Sequence, residues 1–370
     1  MRIIHCADIH LDSKMDTHIS KEQAKERKAE LLHTFSRMVD YAELNGIGTI
    51  LIAGDLFDTK NVSATARNHV RAVITGHPQI RFFYLQGNHD EGSFVSGLGE
   101  VPDNLYLFDG AWKSYVLDED GMVILTGLEL NKENAGALGN TLTLDMEKTN
   151  LVMLHGQEAE YEGKDKAEMI PLAGLKNKGI DYLALGHIHF YKEGALDARG
   201  VYCYPGCLEG RGFDECGEHG FVVLEIDDST KRIAGREFVP IASRRLYTIT
   251  VDISDCLTTA EILQAMEERT KELDYSADSL IQYELVGNVD AAAEKNTELL
   301  QKQMENRFYF VRVKDLSKYR VDYSMFELDK SLKGEFIRHV KAQADLSEEE
   351  KAAVIHYGIQ ALTGEEIIEI

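Results

Sequence analysis

The 370-residue chain is 44% apolar and 28% charged, a globular composition long enough for two or three domains, which excludes global disorder, a collagen helix and a coiled-coil rod. Its charge is unusual: 40 Lys and Arg against 63 Asp and Glu leave −23, with 24 basic against 38 acidic side chains up to residue 240 and 16 against 25 beyond it. Neither part is basic, and because nucleic acids are held by neutralising their phosphates, the balance alone argues against such a partner.

Strand-like and helix-like segments alternate through the first 240 residues. Ile3 to Ala7 reads as a buried strand running into Asp8-Ile9-His10, and residues 21–45 carry Leu31, Leu32, Phe35, Met38, Val39 and Ala42 at helical spacing. Thr49-Ile50-Leu51-Ile52-Ala53 is a second buried strand, ending at Gly54-Asp55. A helix is expected over 63–75, and then a strand, Arg81-Phe82-Phe83-Tyr84-Leu85, ending at Gly87-Asn88-His89-Asp90. Further strands are expected at 113–117, 122–127, 150–154 (ending at His155), 181–185 (ending at Gly186-His187), 200–204, 219–226 and 232–238. This alternation, closing in strand-rich sequence, predicts an α/β sandwich of layered sheets.

Pro240 and the Arg244-Arg245 pair mark a boundary. Beyond it, strands at 246–252, 279–287 and 307–314 alternate with helices at 258–272 and 291–305, a smaller α+β pattern. After residue 320 the chain reads as helix, with Leu328, Leu332, Phe336 and Val340 on one face. A second helix starts with a capping box, Ser347 and Glu350, and stops at Gly364. The expected division is therefore 1–240, 241–318 and 319–370.

Five cysteines (Cys6, Cys203, Cys207, Cys216 and Cys256) are too few, and odd in number, for a disulfide framework, which fits a reducing compartment. Cys203, Cys207 and Cys216 match no zinc spacing and read as half-buried thiols. With no apolar leader and no run of 18 apolar residues, a cytoplasmic protein without a membrane partner is expected.

Five of the strands end in loops that carry metal-binding residue types: Asp8 and His10; Asp55; Asn88 and His89; His155; His187 and His189. Strands of one sheet deliver such ends to a common rim, where α/β proteins build their sites. Gly54, Gly87 and Gly186 would let the backbone turn and leave space for an ion beside it. Carboxylate, amide oxygen and imidazole without thiolate suit Mn²⁺, Fe²⁺ or Zn²⁺. Eight such groups are too many for one ion and suit two, and a two-ion site supports in-line displacement at phosphorus. Singly, each piece has a plainer explanation: Asp8-x-His10 as a strand-end polar pair, Asp55 to Asp58 as a turn, one of His187 and His189 as a loop cap. Gly-Asn-His-Asp is sharper, arising by chance in on the order of one chain in a thousand. The whole series in this order, each after an apolar run, leaves the plainer explanation little room.

Asp8-x-His10, Gly54-Asp55-Leu56-Phe57-Asp58, Gly87-Asn88-His89-Asp90, His155-Gly156 and Gly186-His187-Ile188-His189 resemble the signature of the calcineurin-like metallophosphoesterases. Within that superfamily, Leu11-Asp12-Ser13 and the stretch from Tyr202 to Gly220 are similar to the SbcD-like DNA repair exonucleases, including the YhaO branch. The resemblance implies a layered α/β sandwich metallophosphoesterase core, a smaller α+β capping domain and a C-terminal helical segment. It implies one ion on Asp8, His10, Asp55 and His189 and a second on Asp55, Asn88, His155 and His187, with Asp55 bridging. Manganese is the expected metal, with iron or zinc as alternatives. His89 is implied not as a ligand but to stabilise the phosphorane or protonate the leaving 3′ oxygen, with Asp90 orienting its ring. One position departs from some members of the family, which carry a second histidine three residues after the bridging Asp. Here that residue is Asp58, expected to orient a ligand or His89.

The superfamily it resembles acts on phosphomonoesters, cyclic nucleotides and nucleic acids. A two-metal DNA exonuclease or endonuclease is the leading expectation, and a phosphatase or small phosphodiesterase the alternative. A metal-free scaffold is disfavoured because every ligand position is filled. In SbcD-like enzymes the capping domain helps to hold DNA, and here that segment ends in Arg307-Phe308-Tyr309-Phe310, Arg312, Lys314, Lys318, Tyr319 and Arg320. Alternation puts Arg312 and Lys314 on one strand face with Phe308 and Phe310, as a nucleic-acid surface or as an edge strand packed on helices. Arg211, in a glycine-rich loop, is a further candidate phosphate contact. The last two helices pack on each other or on the cap, or, as the resemblance implies, dock an SbcC-type coiled-coil ATPase. A homodimer is a family expectation.

Overall fold

Strands buried on both faces need apolar residues at successive positions, and the centre of the fold is made of such runs. The computed structural model describes residues 1–15, 19–58, 62–90, 94, 97, 100–159, 168–273, 275–290, 293–319 and 330–363. It divides into two units, Met1–Tyr247 with Asp278–Leu280, and Thr248–Ala277 with Ile281–Ile370.

The first unit runs β1 (Arg2–Cys6), α1 (Lys21–Leu44), β2 (Thr49–Ala53), α2 (Ala64–Gly76), β3 (Arg81–Leu85), β4 (Leu105–Leu107), β5 (Lys113–Val116), β6 (Val123–Gly127), α3 (Leu138–Thr141) and β7 (Thr149–His155). It continues through β8 (Gln157–Ala159), β9 (Met169–Pro171), α4 (Leu172–Leu175), β10 (Tyr182–Gly186), β11 (Lys192–Ala195), β12 (Val201–Tyr204), β13 (Gly220–Ile226) and β14 (Ile233–Pro240). Two six-stranded sheets result, in the orders β14-β13-β1-β2-β3-β4 and β11-β12-β10-β7-β6-β5. β1 to β4 are parallel in the first, and β12, β10, β7 and β6 in the second.

Alternate residues of each central strand face different layers. Ile50 and Ile52 pack with Leu31, Phe35, Met38 and Val70 of α1 and α2. Leu51 and Ala53 face the other way, onto Leu151, Met153, Tyr182 and Ala184 of the second sheet. The outer face of that sheet, Val152, Leu154, Leu183 and Leu185, is covered by Leu138, Leu142 and Leu175. The expected layered sandwich is therefore present, with both sheets sealed between helical layers. α1 opens with a capping box of Ser20 and Gln23.

The second unit contains most of β15 (Leu246–Asp252) and β16 (Leu280–Val286), together with α5 (Thr259–Lys271), β17 (Asn288–Val289), α6 (Thr297–Met304), β18 (Phe310–Asp315), β19 (Lys318–Tyr319), α7 (Leu332–Lys341) and α8 (Glu348–Thr363). Its sheet is ordered β15-β16-β18. The helix expected from 291 begins only at Thr297, where the Asn296 side chain caps the Leu299 N–H. The strand expected from 307 begins at Phe310, because residues 305–307 form a tight helical turn. Ile337 and Val340 of α7 pack on Ile355 of α8, and a Cβ at Gly358 would collide with the Phe336 ring. The Ser347–Glu350 capping box forms as expected. Arg320, Leu328 and Gly364 lie outside the described residues.

Candidate metal centre

The C-terminal ends of β1, β2 and β3 meet those of β7 and β10 along one seam between the sheets. There His155 Nδ1 lies 2.9 Å from the carbonyl oxygen of Ala53, the last residue of β2. A Cβ on Gly186 would collide with that same oxygen, and a Cβ on Gly54 with the His155 ring. A Cβ on Gly87 would collide with the Asp55 carboxylate. The expectation that these glycines keep space for an ion is thus corrected: the space is filled by Ala53, His155 and Asp55, Gly54 and Gly186 letting the two sheets close and Gly87 letting the loops after β2 and β3 approach. Asp8, His10, Asp55 and His187 hold φ values of +50°, +48°, +51° and +105°. Left-handed backbone at non-glycine residues is strained, costs on the order of 1–3 kcal/mol at each, and collects at functional sites.

The side chains converge from there. Both oxygens of the buried Asp8 lie 2.9 Å from the His187 N–H. Asp55 Oδ1 accepts the His89 backbone N–H at 2.9 Å, while Oδ2 lies 3.4 Å from His155 Nε2 and 3.8 Å from His10 Nε2. His155 Nε2 is 3.0 Å from Asn88 Oδ1. His10 Nε2 and His189 Nε2 stand 3.2 Å apart, with Asp8 Oδ1 4.0 Å from the latter. The His187 ring lies edge-on to His155, centroids 5.5 Å apart. Two overlapping groups, Asp8-His10-His189 and Asp8-Asp55-His155, each bring their ligand atoms within 4.8 Å of one another, with Asn88 against His155 Nε2 and the His187 ring beside His155 but in neither group.

The electrostatics follow from burial and pairing. Burial pushes Asp8 up to about 6, with His155 opposing. Burial also acts to raise Asp55, but its hydrogen bond and charge interaction with His155, and the nearby His10, hold it well below the usual carboxylate range. Burial would lower His155, yet Asp55 and Asp8 lift it to about 9. His10 is driven down to about 4, chiefly by burial. Two buried carboxylates beside imidazoles, with an amide oxygen next to them and no thiolate, form a donor set that fits borderline divalent cations.

Other groups surround the ligands. His89, 45% exposed, has its Nδ1 3.6 Å from Asp58 Oδ1. The expectation that Asp90 orients His89 is corrected: the buried Asp90 carboxylate accepts the backbone N–H groups of Leu56, Phe57 and Gly87 at 3.1, 2.8 and 3.0 Å. It braces the loops carrying Asp55 and Asn88, and the carboxylate beside His89 is Asp58. Arg211 reaches this neighbourhood, with Nη1 3.1 Å from Asp58 Oδ1 and Nη2 2.9 Å from Glu215 Oε1. Glu215, not anticipated, lies 2.6 Å from His189 Nδ1. Its only trace in the sequence is an acid four residues after an arginine in a glycine-rich loop. Cys207 is buried against His219, with Sγ and Nδ1 3.2 Å apart. Among the described residues no cysteine joins a metal-like cluster. Arg312 and Lys314 lie on β18 of the second unit.

The family model for calcineurin-like phosphoesterases matches residues 1–191. The chain belongs to that family. It is 26% identical over 285 residues to the uncharacterized metallophosphoesterase YhaO of Bacillus subtilis (strain 168), covering 74% of this chain and 68% of that one. It is 26% identical over 280 residues to the DNA double-strand break repair protein Mre11 of Methanopyrus kandleri, covering 68% and 59% of the two chains. Against Mre11 of Saccharolobus solfataricus the identity is 26% over 189 residues, covering 47% and 48%. The chain thus spans from about half to two thirds of the length of these relatives. As a calcineurin-like phosphoesterase, its reaction class is metal-dependent hydrolysis of a phosphoester, and the seam described above contains the residue types such a reaction requires. No described helix is long and apolar enough to cross a membrane.

Proposed function

We propose that this phosphoesterase is a two-metal phosphodiester hydrolase acting on DNA, as an exonuclease or endonuclease of DNA repair. The observation that carries the reading is the sharing of Asp55 between the two sheets, with His10 and His155 at 3.8 and 3.4 Å from one oxygen. In this reading Asp8, His10, Asp55 and His189 hold one ion, and Asp55, Asn88, His155 and His187 the other, manganese being the expected metal. Bound ions would supply Lewis-acid stabilisation of phosphoryl charge and lower the pKa of a nucleophilic water. His89, exposed at the edge of the cluster, protonates the leaving oxygen or stabilises charge on the phosphoryl group. The DNA assignment rests on the Mre11 relatives, on the SbcD-like motifs and on β18. On β18, Val311 is buried while Phe310, Arg312 and Lys314 share the opposite alternation.

The same reading divides the chain into a phosphoesterase domain over 1–240, a DNA-holding cap over 241–318 and a helical segment over 319–370. The α7–α8 pair is then the docking element for an SbcC-type coiled-coil ATPase in a cytoplasmic complex, with homodimerisation as in the family. The test is a nuclease assay of the manganese-loaded protein on single- and double-stranded DNA with varied ends, alone and with such a partner. No cleavage under any of these conditions sinks the proposal. The net charge of −23 favours the second reading, a phosphatase or small phosphodiesterase. Turnover of nucleotides or phosphoproteins with DNA inert would select it.

A further inference from the structure

We infer that Arg211 is a positioning residue that holds three imidazoles of the centre, His10, His89 and His189, through the carboxylates of Asp58 and Glu215. The inference rests on reading the centre as a divalent-metal site. Each of the three rings meets a carboxylate on its Nδ1 side. Glu215 Oε1 lies 2.6 Å from His189 Nδ1, and Asp58 Oδ1 lies 3.1 Å from His10 Nδ1 and 3.6 Å from His89 Nδ1. The Nε2 atoms of His10 and His189 are left facing each other at 3.2 Å, on the side of Asp8 and Asp55. A carboxylate hydrogen-bonded behind an imidazole, as Glu215 is behind His189, fixes which nitrogen carries the proton and how the ring is turned, so that the other nitrogen is free to bind metal, while Asp58 acts on His10 and His89 as a close negative charge.

Arg211 joins the two carboxylates and also lies directly against His189, its Nη2 3.1 Å from Nδ1. Its Nη1 donates to Asp58 at 3.1 Å, and its Nη2 and Nε to the two oxygens of Glu215 at 2.9 and 3.4 Å. A planar guanidinium presents such donors in a fixed fork, which the point charge of a lysine does not reproduce. The loop that carries it is itself anchored. The Arg211 backbone N–H donates to Glu215 Oε2 at 2.7 Å, and the buried Arg27 of α1 donates to the Gly210 carbonyl at 2.7 Å. The buried Glu209 accepts from the Thr34 hydroxyl at 2.6 Å and from the Ser243 N–H at 2.5 Å, and His219 Nε2 lies 2.8 Å from the Glu215 carbonyl oxygen. An arginine kept for a substrate phosphate would point its donors outward. Here three of them are directed to carboxylates, and only 19% of the side chain is exposed.

The test compares Arg211→Gln, Glu215→Ala, their double variant and Asp58→Asn with the wild type. Long-range ¹H–¹⁵N correlation spectra of the histidine rings in metal-free protein should show His189 with its proton on Nδ1 in the wild type. Arg211→Gln should turn this into mixed forms and also move the His10 and His89 signals. Calorimetry with Mn²⁺ should show affinity lowered by about 10- to 100-fold in each single variant. The double variant should be no weaker than the worse single one, since both changes break one chain of contacts. Unchanged ring spectra and Mn²⁺ affinity in Arg211→Gln, or additive losses in the double variant, would overturn the inference. So would a raised KM for a phosphodiester at unaltered Mn²⁺ affinity, which would make Arg211 a substrate contact. If thermal unfolding shows Arg211→Gln to be misfolded, Asp58→Asn enters the chain from the other loop, and unaltered Mn²⁺ affinity in that variant overturns the inference as well. A wild type that binds no Mn²⁺ would instead sink the reading of the site as a metal centre, while the metal-free ring spectra still decide on Arg211.

Discussion

His89→Asn separates holding the metals from using them. Among His10, His89, His155, His187 and His189, only His89 is exposed, and its side chain approaches Asp58 at 3.6 Å and meets the His10 ring edge-on. The tie between residue 89 and Asp55 is made by the backbone N–H at 2.9 Å, which any side chain leaves in place. Stability should therefore change by no more than about 0.5 kcal/mol, as for an exposed substitution. Mn²⁺ affinity measured by calorimetry should stay near wild type. Turnover of DNA should fall by about 10²- to 10⁴-fold, the usual contribution of a positioned proton donor. A p-nitrophenyl phosphodiester supplies an internal control, since its leaving group departs as a stable anion and needs no proton, so its turnover should fall far less. Unchanged DNA turnover would remove His89 from the mechanism. Equal losses on both substrates would refute the proton-donor role and leave charge stabilisation.

Gly186→Ala should destabilise the protein by about 1–3 kcal/mol or more and impair metal binding, because the added Cβ meets the backbone carbonyl of Ala53, which cannot move aside like a side-chain tip. Gly76→Ala, where a Cβ meets nothing within 4 Å, should cost nothing comparable, and equal melting temperatures for the two variants would refute the seam argument. Metal uptake near pH 7 should expel about one proton, because His155, raised from 6.5 to about 9, must give up its proton to become a ligand. Calorimetry in buffers of different ionisation enthalpy measures this, and no proton release refutes it. The sign for stability follows from the same shift. A raised pKa stabilises the metal-free fold fully below 6.5 and loses that contribution as pH climbs through about 9, so its melting temperature should fall across that window. Finally, with a net charge of −23, the isolated chain should bind DNA weakly and lose it steeply with salt. Nanomolar binding that survives physiological salt would contradict this and remove the need for a partner to supply grip.

Legibility in the sequence tracked burial. β1, β2, β3, β7 and β10 were readable because strands covered on both faces appear as unbroken apolar runs, and their C-terminal ends pointed directly to Asp8, Asp55, Asn88, His155 and His187. β4, β8 and β9 were not, since three-residue strands carry too few alternations to register, and β11, Lys192-Glu193-Gly194-Ala195, has no apolar run. The direction of Asp90 was invisible for another reason. It is decided by the N–H groups of Leu56 and Phe57, which approach it only after the β2 loop has folded. Arg211 and Asp58 are 153 residues apart, and nothing local in either segment reports their meeting. The glycines were found by the right pattern and given the wrong reason, since a missing Cβ signals close approach without saying what approaches.

The backbone and the side chains of the centre point to one origin for its strain. Asp8 and Asp55 follow strands of one sheet and His187 a strand of the other; all three sit at positive φ, and the His187 backbone N–H meets the Asp8 carboxylate across the seam. Left-handed backbone at Asp8, His10 and Asp55 turns these side chains back over their strand ends, where they come within 4.8 Å of His155 and His189 of the other sheet. Relaxing any one of these residues would move its donor out of the cluster without disturbing the apolar layers beneath, because those layers are fixed by residues such as Ile52, Ala53 and Leu154 further back along the same strands. The strain is therefore supported by the core, and the core gains nothing from it. Such an arrangement persists where the rigid layers over-determine the loops, which makes the seam a pre-organised set of donors rather than one assembled by the ion.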